Sequence, residues 1–176
     1  MSFSVTAIGA APNSIGAAQL QANAVTDVAI ANGTITVNKM NPNRIAGQPG
    51  DPAQTASVAF VMAGLAIPLT PSQSGKVKIT ITGRIENDTG GDGGQVKIAY
   101  GVGAAPVNGA AAAGTVVGNL PGTFLSTAIN QKNDFALVAL VSGLVLATAI
   151  WVDLQFEAVT GGNAILTELS YVVEEI

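Results

Sequence analysis

Two hydrophobic periods divide this chain of 176 residues. Over the first fifty, an aliphatic side chain stands at every fifth position: Ile15, Leu20, Val25, Ile30, Ile35, Met40 and Ile45. Val5 extends the series backwards, with Ala10 between. A step of five fits neither common period. On an α-helix five residues turn roughly 500°, which scatters the aliphatics around the axis. On a straight strand an odd step sends them to alternate faces. A short extended piece, a bend and a second extended piece do fit. Asn13, Asn23 and Asn43 each stand two residues before an aliphatic, and Gly33 takes that place in the third decad. Thr26 and Thr36 directly follow theirs. Asn and Gly adopt turn conformations cheaply, which places the bend there. A fixed period of this kind marks a repeat architecture.

One copy of such a ribbon has no core, because one aliphatic per five residues cannot offset the entropy of ordering the chain. Identical chains wound round one axis, with the aliphatics inward, solve the problem. Residues 1–50 are therefore read as an N-terminal anchor and an intertwined shaft of three chains. The plain alternative is a disordered Ala/Asn/Gly-rich arm, which has no reason to keep the register.

The period then changes from five to two. Residues 46–54 are dense in Gly and Pro, and 51–56 are read as a hinge. From Ser57 the chain reads as strands separated by turn signals: 57–67, 76–86, 95–102, short pieces near 115–117 and 123–128, then 135–141, 147–159 and 165–173. The cleanest is Lys76–Glu86. Val77, Ile79, Ile81 and Ile85 fall on one face and Lys76, Lys78, Thr80, Thr82 and Arg84 on the other, the mark of a half-buried antiparallel strand. The Ala run within 103–114 is too short and too flanked by Gly to nucleate a helix. The fold class predicted is all-β, with residues 57–176 forming an antiparallel, jelly-roll-like β-sandwich head. The apolar runs 135–141 and 147–152 are expected to be covered on both faces, a subunit interface supplying the second cover. With only Glu174-Glu175-Ile176 at the end, the last strand is expected to be central.

Composition narrows the function. The chain is 48% hydrophobic and 10% charged, against about 25% charged in an ordinary domain. So few Lys and Glu suit a protein held in an assembly. Net charge is −4, and no Lys/Arg cluster exists, so no nucleic-acid partner is expected. There is no Cys and no His, which removes disulfides, thiolate and imidazole metal ligands, and the Ser-His-Asp triad. No cofactor is expected. The N-terminus lacks a basic region and an apolar run, so it does not read as a secretory signal. Phe135–Val152 is nearly all apolar but short for a membrane span and broken by Ser142, Gly143 and Thr148. Two strands joined at Ser142–Gly143 explain it, and no membrane insertion is expected.

Three places carry candidate chemistry. The loop 87–94 sets Asn87, Asp88 and Asp92 among glycines. Its oxygens have calcium-ligand character, but the spacing matches no defined calcium loop. It is read as an exposed distal loop that contacts a ligand, not as a metal site. Asp153 and Glu157 lie four apart on one strand face, as a glycosidase pair would, yet two carboxylates alone are unspecific, and no catalytic residue is assigned. Trp151 has the shape of a sugar-stacking platform, but in an apolar run it reads as core. The chain is not expected to be an enzyme.

Short motifs carry a resemblance. The head contains Ala63-Gly-Leu65, Leu69-Thr-Pro71, Gly75-Lys-Val-Lys-Ile79, Tyr100-Gly-Val-Gly103, Pro106-Val-Asn-Gly109, Trp151-Val-Asp-Leu154 and Ala158-Val-Thr-Gly-Gly162. Together these resemble the C-terminal heads of phage and prophage fibre proteins. The Asn-Ala-Val-Thr and Asn-Gly-Thr-Ile-Thr decads resemble tail-fibre shaft repeats. The resemblance implies a homotrimeric structural protein on the virion surface of a bacteriophage. Its N-terminal segment would be held by other virion proteins, and its head would face a host surface glycan or protein. With about four decads, a short fibre or decoration on the capsid fits as well as a tail fibre. The alternative of another class is a non-viral trimeric carbohydrate-binding surface module. If the five-step aliphatics line a three-chain axis, Ile35→Asp buries three charges there at a cost of several kcal/mol. Its melting temperature should fall well below that of the wild type, and an unchanged value would refute axial packing.

Overall fold

The computed structural model describes residues 43–119 and 123–176. The shaft positions Ile15, Leu20, Val25, Ile30, Ile35 and Met40 lie outside the described residues. The described residues are strands and loops with no helix. Ten strands form two antiparallel sheets packed as a sandwich. Sheet A runs β1 (Arg44–Gly47), β10 (Ala164–Glu175), β4 (Val77–Asn87), β8 (Asn133–Val141). Sheet B runs β2 (Val61–Met62), β9 (Ile150–Ala158), β5 (Gly93–Val102), β6 (Thr115–Val117). β3 (Ile67–Leu69) also pairs with β9, and β7 (Phe124–Leu125) with β5. Most connections cross from one sheet to the other, as in a jelly roll. The last strand is interior to its sheet, between β1 and β4.

The period of two builds the core. Val77, Ile79, Ile81 and Ile85 of β4 are all fully buried. They meet Val96 and Ile98 of β5 and Val152, Leu154 and Phe156 of β9 across the sandwich. Gly83 occupies the inward position between Ile81 and Ile85. A Cβ there would lie 2.5 Å from Leu169 and 3.0 Å from Phe135, so the gap in the aliphatic series admits both side chains. Burying side chains of this size stabilises by about 1.5–3 kcal/mol each.

Several expectations change. Ile45 belongs to β1 and pairs with Val173 of β10. It packs against the sandwich core. Its neighbours alternate, with Arg44 and Ala46 exposed and Ile45 and Gly47 half-buried, so the period of two already rules there. The chain divides between Asn41 and Pro42. The 51–56 segment is tied down: Thr55 bridges Ala164 in both directions, at 3.0 and 2.8 Å, and Asp51 accepts from the Glu168 amide at 3.1 Å.

The single strand expected over 57–67 is two short ones, β2 and β3. Between them Gly64 and Ala66 take positive φ, 75° and 49°. A Cβ on Gly64 would sit 2.4 Å from the Asn108 backbone nitrogen, so glycine is required at this crossing. The piece near 123–128 shortens to β7, and the strand expected from Ala147 begins at Ile150. Double burial holds within the chain for β9 but not for β8. Along β8, Phe135, Leu137, Ala139 and Val141 are buried while Ala136, Val138 and Leu140 are exposed.

The C-terminal strand is locked by its penultimate side chain. Glu175 is 2% exposed, and its carboxylate accepts from the amides of Ser72, Gln73, Ser74 and Gly75 at 2.6–3.1 Å. Burial alone would raise its pKa, but these amides outweigh that and hold it down at about 2, below the ordinary 4.5. A depressed carboxylate pKa stabilises the fold above pH 4.5 and loses that contribution as pH falls towards 2. Glu175→Gln should therefore cost about 2 kcal/mol at neutral pH. In paired denaturant titrations the wild-type advantage should shrink as pH drops through that window; an advantage independent of pH would contradict the assignment.

Candidate functional site

The strand registers fix the two ends of the sandwich. Arg44, Glu174, Lys78 and Leu140 lie on one row, so the chain enters the head beside the start of β4 and the end of β8. Asn87 pairs with Ala164 at the opposite end of sheet A. There three loops meet: 88–92, 126–132 and 159–163. In the described head, the loop 87–94 lies at the end of sheet A opposite Arg44.

The candidate residues serve mainly to knit these loops together. Asn87 is fully buried. Its side-chain amide donates to Gly93 O at 3.0 Å and Gly161 O at 2.9 Å, and its Oδ1 accepts from Thr89 N at 2.9 Å. A buried amide so occupied has nothing to offer a ligand, and Asn87 is corrected from a contact residue to a structural pin. Asp88 accepts from the Asn163 amide N–H at 2.7 Å and from its side chain at 2.6 Å. The Asn163 side chain first, and then its backbone, holds the Asp88 carboxyl below its ordinary range, so it is charged at neutral pH. Asp92 accepts from the Thr160 hydroxyl, and its carbonyl accepts from Ser126 N at 2.8 Å. Gln131 closes the 126–132 loop by accepting from Thr127 N at 2.8 Å.

Asp88 and Asp92 therefore share one pinned loop cluster, but each is turned to its own partner in the 160–163 turn. Among the described residues, no group of three Asp or Glu side chains is placed to hold a metal ion. The cluster offers a fixed surface whose tips are Thr89, Gly90 and Gly91, with Leu125 and Ile129 exposed beside them at 58% and 67%. Thr160, Asn163, Ser126 and Gln131 were invisible as members of this end. The Thr160–Asn163 turn was legible as a turn, but nothing in the sequence pairs it with Asp88 and Asp92.

The second carboxylate pair separates in the structure. Asp153 is fully buried. Its two oxygens accept from Gly64 N at 3.1 Å, Leu65 N at 3.0 Å and Leu154 N at 2.7 Å. It clamps the link between β2 and β3 onto β9. Burial pushes its pKa up to about 6, against the pull of the Leu65, Leu154 and Gly64 amides. Glu157 is half-buried on the same strand; burial raises its pKa and Lys97 opposes the rise. Lys97 also sits 3.4 Å from the centre of the Phe60 ring. The two carboxylates thus have separate structural partners. Trp151 is core: it packs with Met62 and Ala99, over glycines 101 and 114, where a Cβ would approach the ring within 2.4–2.5 Å.

No protein-family model matches the chain, and no curated protein matches it in sequence. Solved structures do. One is a chain in the structure of infectious bursal disease virus, Gx strain, at 12% identity and TM-score 0.48, covering 77% of this chain and 32% of that one. This chain thus spans about a third of the length of the viral one. Another is the Eiger TNF of S. frugiperda, at 9% identity and TM-score 0.39, covering 76% and 93%. A third is a carbohydrate-binding module from Cellvibrio mixtus lichenase 5A in complex with cellotriose, at 15% identity and TM-score 0.31, covering 74% and 90%. No residue role passes from any of them to this chain.

The raised pKa of Asp153 has a definite sign. The folded state holds this proton more tightly than the unfolded chain, so stability from this group is greatest below pH 3.8 and falls as pH rises through 6. The stability difference between wild type and Asp153→Asn should grow in favour of wild type, by on the order of 2 kcal/mol, between pH 7 and pH 4. Chemical denaturation at the two pH values measures it, and a constant difference would show that the carboxylate titrates normally.

Proposed function

We propose that the chain is a structural virion protein of a bacteriophage, a homotrimeric fibre or capsid decoration whose head presents its pinned loop end outward, without catalysis. One observation carries this reading. The head is entered at one end by a segment with regular five-step aliphatics, and its cluster of bonded loops stands at the other. That is the polarity of an appendage: assembly at the near end, presentation at the far one. The resemblance of the head motifs and decads to phage fibre proteins supports the virion setting. A surface poor in charge supports life in an assembly. The loop cluster suits recognition of a host glycan or protein, because a surface already rigid loses little entropy on binding.

The test is the composition of the particle. Mass spectrometry of purified phage particles should find this protein at a copy number divisible by three. Its absence from particles, together with binding of the isolated protein to a glycan array, would favour a free carbohydrate-binding module instead.

A further inference from the structure

We infer that copies of this chain meet through the outer face of sheet A, centred on Val138 and Leu140. The inference rests on the trimeric reading above and assigns it a surface.

The face is free of charge across its middle. Register places Ala46, Val172, Thr80 and Val138 on one row from β1 to β8. The next row is Ser170, Thr82 and Ala136. All of them point away from the core. Val138 is 45% exposed and Leu140 69%. At the chain-entry end, beyond the row of Arg44, Glu174, Lys78 and Leu140, Val145, Leu146 and Ile176 are 71%, 47% and 56% exposed. The Leu144 amide donates to Gly75 O and the Ile176 amide to Lys76 O, which gathers the β8–β9 loop and the C-terminus round the start of β4. Depletion of charge distinguishes the core of a permanent interface.

The charges that frame the face are already matched to one another. Glu174 takes Arg44 at 3.6 Å and Lys78 at 3.3 Å. Arg84 takes Asp134 and Glu168, each at 2.7 Å. An identical face can therefore approach without uncompensated like charge, whereas a strongly charged partner finds little to pair with. The occupant is further indicated by the chain itself. The five-step segment leads directly into β1, the edge strand of this same sheet. Heterologous contacts between three such faces close a ring. The neighbouring free edge of β8 is partly covered: a Cβ on Gly118 would lie 2.6 Å from Val138 O. The face, more than the edge, is left to be covered.

The chain has no cysteine, so Val138→Cys in the full-length protein carries a unique thiol. Val107→Cys, 72% exposed in the loop after β5, is the control. Maleimide should label Cys at 138 about tenfold or more slowly than Cys at 107 in the native assembly, and equally in denaturant. Val138→Asp should lose the trimer on light scattering while keeping the β-type circular dichroism of the head. Equal labelling with a trimeric Val138→Asp protein would overturn the face and leave trimerisation standing. Protection that appears only on intact particles would assign the face to another virion protein and overturn the inference. A monomeric wild-type chain would remove the trimeric reading and the face with it.

Discussion

The head depends on one strand that has to be covered on both sides. Along β9 every residue from Ile150 to Phe156 is buried. Val152, Leu154 and Phe156 face the main core, while Trp151, Asp153 and Gln155 point the other way. That second side is roofed by the chain around Met62–Leu65 and by the loop after β5. Asp153 holds the roof by its carboxylate, Gln155 donates to Ala113 O at 2.8 Å, and Trp151 fills the space left by glycines 101 and 114. A buried carboxylate is tolerated because three amides point at it. The irregular conformation of 63–66 follows from the same demand: these residues must turn their N–H groups down onto Asp153, which a continuous strand would not allow.

Sheet A is the counterpart. Its inner face supplies half the core, and its outer face is smooth, small and uncharged in the middle. Sheet B has its own chain folded back as a cover; among the described residues, the outer face of sheet A has no such cover. Among the described residues, the apolar side chains Val138 and Leu140 are left without such cover on the sheet that the N-terminal segment enters. That asymmetry gives the head two unlike ends: exposed apolar side chains on the sheet that β1 joins, and pinned loops at the end away from Arg44.

Much of the architecture was legible in the sequence. Alternation over 76–86 placed β4 and its four core aliphatics, and the turn residues at 142–143 and 160–163 fell at real crossings. What was lost came from contacts distant in sequence. Ile45 matched the five-step series in one dimension, but its partner, Val173, lies at the other end of the chain. Thr55 likewise looked like hinge until Ala164 was placed beside it. The run 57–67 read as a strand because its residues favour one; the Asp153 clamp and the Gly64–Asn108 crossing override that preference. Both faces of β9 are covered by its own chain, whereas the outer face of β8, for which a subunit interface was the expected cover, is exposed in the single chain. The distal loop was recognisable by its glycines and aspartates. Its interior bonding was not, because a carboxylate on a Gly-rich loop looks the same whether it awaits a ligand or already holds an asparagine.

The proposed trimer would account together for the five-step repeat and for the exposed outer face of sheet A. The native mass of the full-length protein tests that most directly. Native mass spectrometry should give three times the 17.5 kDa of the chain across a wide range of protein concentration. A stable species of 17.5 kDa under the same conditions would contradict the account at its base.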